Sequence, residues 1–327
     1  MSLRFQRKGS SARSLIQMSK HEIRRQQDEV RRLKDEKRAI ILSHFYQRAE
    51  IQEIGDFLGD SLELCKKAAS IEDKDIIVFN GVDFMAETAS IVNPERKVLL
   101  PVLKATCPMA HMLEAEEVRS YKRKYPKATV VLYVNTLAEA KAEAYATCTS
   151  ANATKVVSNI DNDQILFGPD DNLADYIRNY CPDKEIISMP EMGFCYTHRR
   201  FSLENVLHWR RELPHAKVIV HPECRIEVQK AADAVCSTNQ MVAYVKSSTA
   251  ADFVIGTETG LISYLEREVP QKKYYPLLSD ARCYSMKKNT LKDVINSLQL
   301  RQHVVKIDPK IATRARKAID QMFELTA

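Results

Sequence analysis

The chain predicts an α/β fold of three homologous αβα sandwich domains with parallel sheets, packed about a pseudo-threefold axis. Two residue registers and one pattern predict it. Pro94, Pro182 and Pro270 recur 88 residues apart, and a cysteine stands thirteen residues after each, at Cys107, Cys195 and Cys283. Strand–helix–strand patterning repeats around both registers. Self-similarity at a fixed period marks a structural unit that stacks on copies of itself. It overrides the two domains that 327 residues suggest at about 150 residues per domain.

Each unit opens on an apolar, strand-like run: Ala39-Ile-Ile-Leu, Thr129-Val-Val-Leu and Lys217-Val-Ile-Val. A second strand ending in glycine follows, at Ile76 to Gly81, Ile165 to Gly168 and Phe253 to Gly256. A helical stretch then runs to the proline, and a third strand leads to the cysteine. No tight hairpin separates these strands, so the order reads as parallel sheets with covering helices and right-handed crossovers. A linker helix runs from Leu203 to Arg211 and is closed by Pro214; Ser19 to Lys37 precedes the first unit. Leu291 to Leu298 and Ile311 to Leu325 are helical and are expected to return to the first unit. The expected division is a disordered basic segment at 1–18, domain 1 at 19–108 with 284–327 returning to it, domain 2 at 109–196 and domain 3 at 197–283.

With 45% hydrophobic and 28% charged residues, the composition is that of a soluble globular protein. No apolar run approaches the ~20 residues that span a bilayer, so no membrane association is expected. The net charge of +6 is spread along the chain, with much of the excess in the first 40 residues, including Arg24-Arg25, Arg31-Arg32 and Arg38. That pattern reads as a solvated helix face, and no zinc-finger or RNP-type motif supports nucleic-acid binding. Residues 1–18 are basic and free of Asp and Glu, a weak likeness to an organellar transit peptide. The eight cysteines lack the dense spacing of a secreted disulfide scaffold, which points to a reducing, cytoplasmic compartment.

In open parallel sheets ligands bind beyond the carboxyl ends of the strands. There the first strands carry polar pairs at i and i+2, on one face of the strand: His44/Tyr46, Tyr133/Asn135 and His221/Glu223. Ser61, Thr149 and Ser237 each stand 46 residues before their cysteine and open helix-like stretches. Such residues cap helices, and three capped N-termini facing one cleft would bind carboxylate or phosphate. Three thiolates brought to one axis could hold zinc or an iron–sulfur cluster. Cys195-Tyr-Thr-His198 could complete a Cys₃His zinc site, whereas three cysteines on a four-iron cubane leave one iron open as a Lewis acid. A cluster-dependent hydro-lyase and a non-catalytic, zinc-stabilised binding module both stay open on these residues alone.

The ordered segments His44-Phe-Tyr-Gln, Gly59-Asp-Ser-Leu-Glu-Leu, Gly81-Val-Asp-Phe-Met-Ala-Glu-Thr-Ala, Cys107-Pro-Met-Ala, Tyr133-Val-Asn-Thr, Thr149-Ser-Ala-Asn-Ala, Gly193-Phe-Cys-Tyr-Thr-His198, His221-Pro-Glu-Cys, Ile255-Gly-Thr-Glu-Thr-Gly and Cys283-Tyr-Ser-Met-Lys287 resemble those of the quinolinate synthase family over about residues 38 to 300. The resemblance implies one [4Fe–4S] cluster per chain on Cys107, Cys195 and Cys283, with its open iron as Lewis acid. It implies condensation of iminoaspartate with dihydroxyacetone phosphate to quinolinate, releasing phosphate and two waters. It further implies an iminoaspartate-producing enzyme and a cluster-assembly scaffold as partners. Tyr46, His221 and Glu223 match the groups expected to move protons. His44, Ser61, Asn135, Ser150, His198, Ser237 and Thr238 match positions that hold substrate carboxylates or phosphate, and Tyr133 a residue that closes over the ligand. Gly168 departs from the family pattern, where a bulkier apolar residue is usual. Asn239-Gln240 replace Ser-Gly, and no second cysteine neighbours Cys283, which puts a disulfide switch there in doubt.

Overall fold

The computed structural model describes residues 19–327; the expectations for the basic segment 1–18 lie outside the described residues. The chain repeats one eight-element unit three times. The first unit comprises α1 (Lys20–Glu36), β1 (Ala39–His44), α2 (Ala49–Gln52), β2 (Phe57–Gly59), α3 (Ser61–Ala69), β3 (Ile76–Asn80), α4 (Asp83–Val92) and β4 (Lys97–Leu99). The second comprises α5 (Ala115–Lys124), β5 (Thr129–Tyr133), α6 (Ala138–Lys141), β6 (Ala146–Cys148), α7 (Ala153–Ser158), β7 (Gln164–Gly168), α8 (Asp171–Tyr180) and β8 (Glu185–Ser188). The third comprises α9 (Leu203–Glu212), β9 (Lys217–Val220), α10 (Ile226–Ala231), β10 (Ala234–Val235), α11 (Thr238–Ser247), β11 (Asp252–Gly256), α12 (Gly260–Glu268) and β12 (Lys273–Pro276). Helices α13 (Leu291–Leu300) and α14 (Pro309–Glu324) close the chain.

Each unit builds a four-stranded, all-parallel sheet in the same order, β2-β1-β3-β4, β6-β5-β7-β8 and β10-β9-β11-β12. The fold class therefore agrees with the sequence reading, with one addition. The strands β2, β6 and β10 span only two or three residues, too few for an alternation or apolar run to register. The recurring prolines end the helices before them: Asn93, Cys181 and Val269 are the C-cap residues of α4, α8 and α12, and each precedes a proline.

The two inner strands of each sheet are almost wholly buried, as expected where helices cover both faces. Neighbouring residues of one strand enter different cores. Ile41 and Val78 pack outward with Val30 and Leu33 of α1 and Val294 of α13. Leu42, Ile77 and Phe79 pack inward, into a core that also takes Val131, Phe167, Ile219 and Phe253 from the other two sheets. After α13, Val304 bridges Leu99 on the edge of the first sheet, while α14 lies on β6, α6 and α4.

Phe253 on β11 is fully buried and stacks near Tyr274 with ring centroids 6.2 Å apart. Phe253→Ala leaves a cavity in the inner core, beside Tyr244 and Tyr274. It is expected to lower unfolding free energy by about 3–5 kcal/mol, read as a shifted urea midpoint at unchanged slope.

Candidate active site

The carboxyl ends of the first strand of each unit meet at one cavity. β1 ends at His44, β5 ends at Tyr133, and His221 directly follows β9. Two residues on, Tyr46, Asn135 and Glu223 line the same cavity. Ser61, Ser150, His198, Thr238 and all three of Cys107, Cys195 and Cys283 line it as well. Of the residues singled out from sequence, Ser237 alone does not line it. It is fully buried, its hydroxyl accepts the Gln240 N–H as the cap of α11, and it donates to Asp60 Oδ2 at 3.1 Å.

A hydrogen-bonded network centres on Glu223. The Tyr133 hydroxyl donates to its Oε1 at 2.6 Å, and His198 Nδ1 stands 2.6 Å from its Oε2. The His221 ring stacks on His198 at 4.4 Å between centroids. Burial alone would push the Glu223 carboxyl up; the two imidazoles and the bonds from His198 and Tyr133 overcome it and hold the carboxyl below its usual range. Tyr46 comes from the first unit and meets the third: its hydroxyl lies 2.7 Å from Thr238 Oγ1 and 2.6 Å from Thr257 Oγ1. Thr257 also sits 2.8 Å from His198 Nε2, so one threonine ties Tyr46 to the Glu223 network. Burial raises the Tyr46 phenol well above its ordinary value, with Glu223 adding to the effect. The hydroxyl is therefore held as a proton donor.

Burial and the Lys287 charge lower His44 to about 3, and its Nδ1 accepts the Tyr46 N–H at 3.1 Å, as a neutral ring must. The folded-state value lies below the unfolded one of about 6.5. Between the two, the unfolded chain binds the extra proton, so stability is lost as pH falls through that window. His44→Asn removes this burden. Below pH 6.5 the stability difference between wild type and variant should move in the variant's favour by about 1.4 kcal/mol per pH unit, as measured by urea unfolding of the metal-free proteins.

The helix starts differ from the expected pattern. The cap of α3 is Asp60, whose Oδ1 accepts the Leu62 and Glu63 N–H groups; a carboxylate outcompetes the neighbouring Ser61 for a helix N-terminus. The cap of α7 is Asn152, and Thr149 closes a turn with it, its N–H donating to Asn152 Oδ1 at 2.7 Å. Ser61, Thr149 and Ser150 line the cavity, with the Thr149 hydroxyl taken up in the turn, where it donates to Asn152 Oδ1 at 3.1 Å and accepts the Ala151 N–H at 3.2 Å. Asp60 and Thr257 are the pieces sequence reading missed. Asp60 Oδ2 reaches across to the Ser237 hydroxyl and to the Asn239 N–H at 3.2 Å, clasping the first unit to the third. Its signal was the acid directly before Ser61, the usual place for a cap.

The three cysteines stand at the same end of their units, and the other five line no part of this cavity. Burial raises all three thiols, and their mutual proximity adds to the effect for Cys107 and Cys195. The Tyr196 hydroxyl donates to Cys283 Sγ at 3.4 Å. A set of three sulfur donors, one from each unit, suits a soft metal or an iron–sulfur cluster. Asn135 Oδ1 is buried without a hydrogen-bond partner, an unmet polar group on the wall of the same cavity. His198 Nδ1 is 3.3 Å from Cys195 Sγ, and Cys195, His198 and Glu223 place donor atoms within 4.8 Å of one another. Among the described residues no helix is long and apolar enough to cross a membrane.

The chain matches the family model described as quinolinate synthetase A protein over residues 28–324. It is 53% identical over 290 residues to a protein of Methanothermobacter thermautotrophicus named quinolinate synthase, covering 89% of this chain and 95% of that one. A quinolinate synthase of Thermococcus kodakarensis is 50% identical over 290 residues, with the same two coverages. One of Thermodesulfovibrio yellowstonii is 46% identical over 289 residues, covering 88% of this chain and 94% of its own.

Proposed function

The chain belongs to the quinolinate synthetase A protein family, a family of enzymes of NAD biosynthesis, and from that premise we propose that it condenses iminoaspartate with dihydroxyacetone phosphate to quinolinate, releasing phosphate and two waters. The carbons of both substrates and the iminoaspartate nitrogen pass into the product, the phosphate group and two waters leave, and no external oxidant is required. The observation that carries the reading is the convergence of three cysteines and three strand-end polar pairs, one set from each unit, on a single cavity.

Cys107, Cys195 and Cys283 would hold a [4Fe–4S] cluster. When bound, the cluster supplies an iron without a protein ligand, which acts as a Lewis acid. The remaining work falls to side chains. Glu223, kept ionised beside His221, removes and returns protons during isomerisation and ring closure. Tyr46, kept protonated by burial, donates to a leaving hydroxyl. His44, Ser61, Asn135, Ser150, His198 and Thr238 present hydroxyl, amide and imidazole groups to the substrate carboxylates and phosphate. Asn135 is the clearest of these, because its amide oxygen has no partner of its own. Ser237 contributes from behind, through Asp60 and the start of α11. Tyr133 closes the cavity over the ligand while its hydroxyl stays on Glu223. Iminoaspartate is short-lived, so an iminoaspartate-producing enzyme is a natural partner, as is a scaffold that delivers the cluster; both fit a cytoplasmic setting.

One observation favours a second reading. The Cys195, His198 and Glu223 group would accept zinc, leaving Cys107 and Cys283 without a task. Anaerobically purified protein separates the two: iron and sulfide near four each per chain support the cluster, and a colourless protein with zinc supports the alternative. The activity is tested by quinolinate formation from enzymatically generated iminoaspartate and the triose phosphate; no product from iron-loaded protein would refute it.

A further inference from the structure

Two residues beyond the glycine that follows or ends each third-in-sequence strand stands an acid: Gly81 and Asp83, Gly168 and Asp170, Gly256 and Glu258. The three acids make the same connection. Asp83 Oδ1 accepts the Cys107 N–H at 2.9 Å and the Phe84 N–H at 2.9 Å. Asp170 accepts the Cys195 N–H at 3.0 Å through one oxygen and the Leu173 N–H at 2.7 Å through the other. Glu258 accepts the Cys283 N–H at 3.2 Å and the Gly260 N–H at 2.6 Å. A return bond completes each bracket. The N–H groups of Asp83, Asp171 and Thr259 donate to the carbonyls of Ala105, Gly193 and Ala281, two residues before each cysteine, at 3.0, 2.8 and 3.0 Å.

Helix capping accounts for the bond from Leu173, since Asp170 is the N-cap of α8; the bonds from Phe84 and Gly260 are local ones at the starts of α4 and α12. Neither accounts for a second bond from each carboxylate to a cysteine of a distant loop, nor for its recurrence in all three units. Asp170 and Glu258 are buried to within about a hundredth of their surface, where an N–H bond to a carboxylate is strong and removal of the acceptor leaves the donor unsatisfied. The packing is close as well: a Cβ on Gly193 would come within 1.8 Å of the Pro169 carbonyl oxygen, so the Cys195 loop sits directly on the end of β7.

We propose that Asp83, Asp170 and Glu258 are positioning residues. Each staples the cysteine loop of its own unit to the N-terminus of the following helix, and together they fix the three sulfurs for the cluster. The inference rests on the cluster reading. Ligands on loops hold a metal group tightly only when their backbone is itself held, and groups behind the ligands typically carry 10–100-fold in metal affinity.

The test uses the full chain, reconstituted anaerobically, with Asp83→Ala, Asp170→Ala, Glu258→Ala and Glu258→Gln. Each alanine variant is expected to lose iron to a chelator roughly 10-fold faster or more. In the metal-free form each should speed amide hydrogen exchange at its own cysteine loop and leave the other two loops unchanged. Glu258→Gln keeps one acceptor oxygen, enough for Cys283 but not also for the Gly260 N–H and the Lys287 ammonium, 3.1 Å from Oε2, and should recover part of the retention. Alanine variants that hold iron as wild type does, or that accelerate exchange throughout the chain, would overturn the proposal. Wild type without iron and sulfide would instead overturn the cluster reading beneath it, and is recognised before any variant is compared.

Discussion

Serine at Cys107, Cys195 or Cys283 is expected to reduce both iron retention and quinolinate formation by roughly 100-fold or more, while serine at Cys65, Cys148, Cys181, Cys224 or Cys236 leaves both near wild type. The contrast follows from position. The first three line the cavity, one from each unit. The others are spent elsewhere: Cys65 lies in the inner core, where burial pushes its thiol to about 12, and Cys224 is fully buried with its thiol toward the Gly256 carbonyl at 3.7 Å. Serine is a hard, weakly acidic ligand for iron, but it occupies nearly the same volume as cysteine, and the backbone brackets on the three loops do not involve sulfur. The metal-free variants should therefore unfold at wild-type urea concentrations, which separates loss of the cluster from loss of the fold. Full iron and activity in Cys283→Ser would remove that cysteine from the ligand set.

The repeat was legible because its markers are chemically distinct. A proline that ends a helix and a cysteine that faces a cavity tolerate few replacements, so both stand at a constant interval in the sequence. Strands β2, β6 and β10 left no trace, since two or three residues cannot show a period. The polar pairs at the ends of the first strands were readable from the two-residue alternation of a strand. The cap position of Asp60 was readable as well, but its bonds to α11 and the bonds of Thr257 were not, because they act between units: Asp60 joins α3 to α11, and Thr257 joins Tyr46 to His198. Sequence spacing reports what a unit presents from itself, whereas contacts across units depend on how the units pack. The acids behind the cysteines were available to a repeat-based reading. Asp170 and Glu258 share the 88-residue phase, and Asp83 is one residue out of it, enough to hide the set from a strict register.

Glu223→Gln is expected to keep the fold and the cluster and to lower turnover by about 10²–10⁴-fold, the usual worth of a positioned acid or base. The substitution preserves shape within a fully packed network. Glutamine still offers one oxygen, enough for either the Tyr133 hydroxyl or His198, which now take separate carboxylate oxygens at 2.6 Å each. It cannot accept from both, nor can it take a proton at neutral pH. Tyr46→Phe makes the matching change on the donor side. The lost hydroxyl leaves Thr238 and Thr257 facing each other across its place, and each has a hydroxyl that rotates to a new partner, so the structural cost is small beside the lost proton. The two groups share Thr257 and His198 as intermediaries, and residues that act as one unit are not additive. The double variant should thus fall little further than the more damaged single one. The measurement is single-turnover quinolinate formation with iron content fixed at the wild-type level. Turnover within a few-fold of wild type in both single variants would take the proton chemistry away from this pair, and a double variant showing the full product of the two losses would show that they work independently.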